Sequence, residues 1–369
     1  MKKVHVHPDQ MGSYAQEDVV FLLRNISHMT LEMDNSKREQ LIQSGTHYSE
    51  MLPIEHSPSK AYMDVFYNTL EAYAERIALA VGVVAQQIME RNGLENLVLV
   101  SLARAGTPIG ILIKRYLLER YAVDIPHYSI SIMRGRGIDE TAIHYIFAQY
   151  PNARIQFVDG WTGKGAITQE LQQACEQLQG RYSYPLNADL AVLADPGHCA
   201  PIFGTREDFL IPSACLNSTV SGLVSRTVLN SELMDKGDFH GAKYYNELEA
   251  VDVSNLYIER ISTYFHKVHN QVDEQLAART SEEMEVTWKG LESVKVIQQQ
   301  MGITNSNFVK PGVGETTRVL LRRVPWKILI NPAHIQELEY ILLLAEDKNV
   351  PIEHYPDMSY ACCGLIQEM

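Results

Sequence analysis

The sequence predicts an α/β protein with a parallel sheet at its centre, a helical extension, and a small mixed α/β module at the C-terminal end. Three observations carry this. Short apolar runs alternate with helical patterns from Leu97 to Asp195. Residues 205–304 then turn to long helical patterns, and the residues beyond 304 return to a mixed pattern. Short, continuously apolar strands between helices mark a parallel sheet covered on both faces.

The elements follow in order. Residues 1–60 are polar and irregular, with a helix expected near Glu17–Asn25. A long helix is expected over 61–91, ending at the helix-stopping pair Asn92-Gly93. "LVLVSL" (97–102), "HYSISIM" (127–133), "RIQFVD" (154–159) and "ADLAVLAD" (188–195) read as strands. Helices are expected between and after them over 108–121, 140–150 and 165–178. Two more long helices are expected over 254–276 and 282–302. "TRVLLRR", "WKILIN", the helix "HIQELEYILLLAEDKN" and "PIEHYP" make the final module. The implied divisions are an N-terminal helical region (1–90), a core domain (91–235), a helical extension (236–305) and a C-terminal domain (306–369).

At 369 residues and 46% hydrophobic, the chain can bury a core of more than one domain. Its formal charge of -13 argues against broad nucleic-acid or membrane binding, which leaves a basic footprint. Cys175, Cys199, Cys215, Cys362 and Cys363 are odd in number and fit no disulfide or zinc spacing, so reduced thiols are expected. The N-terminus lacks the apolar core of a signal peptide. The most apolar segments, near Ile77–Ala85 and Ile109–Ile113, are far shorter than a membrane span. Together these predict a soluble cytoplasmic protein.

The chemistry centres on "IQFVDGWTGKGAIT", Ile155–Thr168. A nucleotide-triphosphate loop needs a Gly at 158 and a hydroxyl at 165, and the chain has Val158 and Gly165. A phosphoribosyl loop fits better. Asp159 at the strand end would hold ribose hydroxyls, while Thr162, Gly163, Lys164, Gly165 and Ala166 would wrap a 5'-phosphate at a helix start. The plainer reading is a Gly-rich strand-to-helix connection. "SLARAGTPIG" offers Arg104 and Gly106 for a pyrophosphate, and "IMRGRGID" offers Arg134 and Arg136. All three loops follow strands, so they are expected at one carboxyl edge of the sheet.

"FVDGWTGKGAI", "LARAGTP", "RGRGID" and "EDFLIPSACLNSTVSGLVSRT" resemble the phosphoribosyltransferase-like core of the StiP family of bacterial tellurite-resistance and stress operons. "KPGVGETTRVLLRRVPWKILI" and "YACCGLI" are similar to a Pelota-type RNA-binding module related to the L7Ae fold. The resemblance runs over most of the chain from about Ala61. It implies a ribose-phosphate substrate, phosphoribosyl pyrophosphate with Mg²⁺, and a stress role; the family also carries a cysteine protease label. One departure is Asp159-Gly160, where typical phosphoribosyltransferases place two acids. Asp195, at the end of the fourth strand, is the candidate to supply the second.

Three further groups have both a functional and a plainer reading. Ser225, Arg226 and Thr227 would cap the ribose-phosphate site, or simply pack. Cys215, or Cys199 beside His198, would be the nucleophile of a protease, with His198 or His240 as base, although no thiol-protease signature matches. Lys310, Arg318, Arg322, Arg323 and Lys327, after the turn "PGVGE", would contact RNA phosphates, or would be solvated cations. The His residues show no metal spacing; His5 and His7 sit in a polar tail, and no structural metal is expected. The leading expectation is a phosphoribosyltransferase. The rivals are a cysteine protease and a non-catalytic sensor of a nucleotide or ribose phosphate and RNA.

Overall fold

The computed structural model describes residues 7–230, 234–235 and 237–367. His5 lies outside the described residues. The central sheet consists of β1 (Val20–Phe21), β2 (Leu97–Leu102), β3 (His127–Ile130), β4 (Arg154–Trp161), β5 (Ala191–Ala194) and β6 (Ile202–Thr205), in the spatial order β1-β3-β2-β4-β5-β6. Every pairing in it is parallel. β2 is buried along its whole length, which is why "LVLVSL" carries no polar alternation.

The helix expected near Glu17–Asn25 is not formed. Val20–Phe21 instead joins the sheet edge beside β3, and Phe21, Leu22 and Leu23 are buried. Three consecutive buried apolar residues suit an extended segment with core on both faces better than one helix stripe. A short helix, α1 (Asn35–Gln43), follows, capped by the Asp34 side chain on the Lys37 N–H. The long helix α2 (Lys60–Asn92) starts at the Ser59 cap and stops at Gly93, as its sequence signals require. Its second half is apolar nearly all round because the sheet covers one side and a later helix the other. Gly82 permits that second contact: a Cβ there would lie 2.5 Å from Val272 Cγ2.

The crossover helices are α3 (Gly106–Tyr121), α4 (Glu140–Gln149) and α5 (Ala166–Tyr182). The single helix expected over 254–276 is two, α6 (Ser254–Ser262) and α7 (Phe265–Ala278). The helix expected from 282 begins only at α8 (Lys289–Gln300), after Trp288 in the left-handed conformation.

The C-terminal module has a four-stranded sheet in the order β7-β10-β8-β9, with β7 Val309–Pro311, β8 Pro325–Ile330, β9 Ile352–His354 and β10 Cys362–Ile366. α9 (Val313–Arg322) and α10 (Glu339–Asp347) belong to it. Their apolar faces merge with the main core: Leu320, Tyr340, Ile341 and Leu344 share one buried cluster with α2. The module is thus fixed against the first part of the chain. Among the described residues no helix is long and apolar enough to cross a membrane.

Candidate functional site

Parallel strands put their carboxyl ends on one edge, so the loops after β2, β3 and β4 gather there. β7 and α9 face that edge from the C-terminal module, and α1 with residues 45–48 closes a side. Between them lies a cleft of about 910 Å³. Its walls include Arg104, Arg134, Asp159, Thr162–Ala166, Arg226, Lys310, Arg318, Arg322 and Arg323. The structure therefore brings together most of the residues singled out in the three loops and in the basic segment.

The loop after β4 is held from behind. The Thr162 hydroxyl donates to Asp195 at 2.5 Å, and Asp195 also accepts the backbone N–H of Cys199 and Ala200 and pairs with Arg206. Asp195 is wholly buried and outside the cleft lining, so it braces the loop rather than facing a ligand. Burial holds its carboxyl above the usual range, against the lowering effect of the Thr162 hydroxyl. Gly165 adopts φ 83° at the start of α5, and a Cβ there would lie 2.3 Å from the Trp288 ring. The Gly163 carbonyl accepts the Tyr360 hydroxyl at 3.2 Å, and Lys164 Nζ donates to the Ser306 carbonyl. The loop's glycines thus admit neighbouring protein groups, Trp288 among them.

The other two loops are also satisfied by the protein. Glu170 on α5 accepts the N–H groups of Gly135 (2.7 Å) and Gly137 (2.9 Å). Arg134 bonds Asn307 at 2.8 Å, and the exposed Arg136 pairs with Glu50 outside the cleft lining. Gly106 is needed for packing, since a Cβ would lie 2.3 Å from the Val158 carbonyl oxygen. Arg104 donates to the Val224 carbonyl and the Asn217 side chain. Ser225 hydrogen-bonds backbone groups of Arg226 and Lys243, and Thr227 accepts the Ser131 hydroxyl. Neither hydroxyl lines the cleft.

The basic segment does not form an outward stripe. Lys310, Arg318, Arg322 and Arg323 turn into the cleft, while Lys327 pairs with Glu353 on the outside. Arg318 stacks over the Trp161 ring and pairs with Glu315, and Arg323 grips Glu39 through two nitrogens at 2.7 and 2.9 Å. A Cβ on Gly314 would lie 2.3 Å from Trp161, so this glycine lets α9 sit on the end of β4.

Burial and like charge shift the cleft's ionisable groups. Burial pushes Asp159 up to about 6. Burial and the neighbouring Arg134 bring Lys310 down to about 7 and Lys164 down to about 8. Arg38, Glu39, Glu315 and Trp288 belong to the site or its support, yet no sequence signal marked them. "GETTR" at 314–318 alone hinted at an acid and a base sharing one helix face.

All five thiols are buried. Cys215 lies in the main core, where the Tyr340 hydroxyl bonds its carbonyl at 3.3 Å; burial pushes its thiol up to about 12. Cys199 lies immediately behind the cleft wall. Thr168, a wall residue, has its Oγ1 3.8 Å from Cys199 Sγ, and Asp195 Oδ1 is 3.7 Å from the same sulfur. Burial and the Asp195 charge push this thiol up to about 12. Among the described residues no imidazole nitrogen bonds either sulfur; the His240 ring bonds the Ser131 hydroxyl instead. Burial, with Arg206 and Lys289, brings His198 down to about 4, so its ring is neutral at physiological pH.

Comparison with known proteins corrects the leading expectation. A family model described as "Tellurite-like stress resistance cysteine protease StiP" matches residues 12–262, and one described as "PELOTA RNA binding domain" matches residues 288–368. A protein of Acinetobacter baylyi named "Cysteine protease StiP" is 35% identical over 375 residues, covering 97% of this chain and 94% of the relative. These names overturn the phosphoribosyltransferase reading. The geometry agrees at two of the expected glycines, which are needed for packing: Gly165 lies against the Trp288 ring and Gly106 against the Val158 carbonyl.

Proposed function

The chain belongs to the StiP family, and on that premise we propose that it is a cysteine peptidase acting in stress resistance. The observation that carries this reading is the match of residues 12–262, supported by the extent of the similarity to the Acinetobacter baylyi protein. That stretch contains Cys175, Cys199 and Cys215 and leaves out Cys362 and Cys363. Cys199 is the candidate nucleophile, because it lies against the wall of the cleft and Cys215 lies in the core. His198, next in the chain and neutral, is the candidate base.

In the proposed reaction His198 takes the thiol proton as Cys199 sulfur attacks the scissile carbonyl carbon. The imidazolium returns that proton to the leaving amine as the C–N bond breaks, and water then hydrolyses the thioester. Burial and the Asp195 charge favour the protonated Cys199 thiol in this arrangement. Activity requires the Thr162–Thr168 wall to move and admit substrate. The test is cleavage of a peptide library with and without a thiol-alkylating reagent. Cleavage that disappears on alkylation supports the reading; no thiol-dependent cleavage at any substrate overturns it.

A second reading concerns the module at 288–368. Its family description and the cations Lys310, Arg318, Arg322 and Arg323 support RNA binding, with the strand approaching through the cleft mouth. Gel shifts at several salt concentrations test it. Arg322→Ala with Arg323→Ala should weaken binding and flatten the salt dependence; absence of any shift at low salt overturns it.

A further inference from the structure

The chain carries a formal charge of -13, yet one end of its cleft gathers arginines that form no close ion pair among the described residues. Arg38 of α1, Arg104 after β2, Arg226 and Arg322 at the end of α9 all line it. Among the described residues none of these four makes an ion pair with an acid. Glu39 is paired with Arg323 and acts on Arg38 only from a distance, and Glu315 is paired with Arg318. Glu55, which acts on Arg104 and Arg322 from a distance, is itself held by the Ser218 N–H and hydroxyl.

The guanidinium groups also leave donors unused, although Arg104 donates to the Val224 carbonyl and the Asn217 side chain. Among the described residues Arg38 donates only to Asn35, and Arg226 only to the carbonyls of Tyr48 and Met51. Arg322 makes no side-chain hydrogen bond among the described residues. The Nε atoms of Arg38, Arg226 and Arg322 are shut off from solvent and unpartnered. Buried donors without partners are rare in native proteins, and each carries a penalty. Burial lowers all three groups, and the arginines lower one another: Arg104 and Arg226 act on Arg322, and Arg38 acts on Arg226. Like charges brought this close oppose folding unless an anion joins them. Arginine forks match the oxygens of a tetrahedral dianion, which can accept from several at once.

We infer that the arginine-lined end of the cleft, formed by Arg38, Arg104, Arg226 and Arg322, binds a doubly charged oxyanion of the phosphate class. The anion draws its donors from α1, the strand-edge loops and α9, so its binding clamps the C-terminal module over the sheet edge. The inference needs neither the thiol chemistry nor RNA binding.

Thermal unfolding and calorimetry with inorganic phosphate and sulfate, at constant chloride, test it on the full chain. Phosphate is expected to raise the melting temperature of wild type and to bind with a measurable heat. Arg322→Gln removes one unpartnered charge. It should leave the ligand-free melting temperature equal or higher and weaken phosphate at least about tenfold, the loss expected for one charged hydrogen bond. Lys327→Gln, outside the cleft, should match wild type in phosphate binding. A small monoester, phenyl phosphate, separates the sources. Equal or weaker binding than phosphate marks a free-anion site, and tighter binding marks a site for the phosphate end of a larger ligand. Phosphate affinity unchanged in Arg322→Gln overturns the inference, as does a ligand-free protein that Arg322→Gln destabilises. Binding of an acidic peptide without any response to phosphate or sulfate overturns it too.

Discussion

Cys199 and Cys215 are equally buried, and burial pushes both thiols to about 12, but they lie on opposite sides of the protein's organisation. Cys215 is surrounded by the apolar cluster that joins α2 to α10. Cys199 follows β5 at the carboxyl edge of the sheet, one side chain behind the cleft wall, with the Asp195 carboxylate beside it. Burial alone therefore does not choose between the two thiols. What differs is which motion would expose each. Cys215 requires the core to open, whereas Cys199 requires the Thr162–Gly165 loop and the first turn of α5 to shift.

The largest effect that could break this comparison is on cleavage. Cys199→Ser should reduce peptide cleavage by at least about 10³-fold, the scale seen when a nucleophile is removed. Cys215→Ser should retain cleavage in the folded protein. It should lose about 1–3 kcal/mol of stability in chemical denaturation, from burying a hydroxyl among apolar side chains. Cleavage lost in Cys215→Ser and kept in Cys199→Ser would reverse the assignment.

The next effect concerns what holds the module over the cleft. Glu39 is 1% exposed and depends on Arg323, so Arg323→Ala strands a buried carboxylate and should cost about 3–5 kcal/mol. Lys327→Ala breaks the more open pair with Glu353, which is 45% exposed, and should cost about 1 kcal/mol or less. Equal losses in denaturant titrations would show that Arg323 does not anchor the module.

The smallest effect is the pH dependence, and the two carboxylates should act with opposite sign. Burial raises Glu39, but the hydrogen bonds and charge of Arg323 outweigh it and hold the carboxyl below its ordinary value. The stability this contributes is present above the unfolded pKa and is lost as pH falls through the lower, folded one. Burial raises Asp159 to about 6, so its contribution is present below its unfolded value and is lost as pH rises through about 6. Asp159→Asn should flatten the stability profile between about pH 4 and 6, and Glu39→Gln should flatten it only at lower pH. An Asp159→Asn profile that parallels wild type in the upper window would show that this carboxyl is not buried in solution.

Much of the scaffold was legible in the sequence. The apolar runs at 97–102 and 154–159 mark strands buried on both faces, and parallel order then puts the loops after them on one edge. The cleft was less legible. Arg38 stands in a polar stretch with no pattern, and it meets Arg226 and Arg322 only through tertiary packing. The loop "DGWTGKGAI" misled because glycine reports close approach without naming what approaches; here Trp288, 123 residues after Gly165, fills the space at that glycine. The Glu17–Asn25 segment misled because a three-residue buried run carries no period.

Cys199 is the thiol proposed to react in a peptidase. The most direct measurement is mass mapping of the thiol trapped by a peptide-based alkylating probe under native conditions, with Cys199→Ser and Cys215→Ser alongside. One label is expected, on Cys199, that appears at the rate at which cleavage is lost and is absent in Cys199→Ser. A label on Cys215 or Cys363 that tracks the loss of cleavage, or cleavage that survives full modification of Cys199, would contradict it.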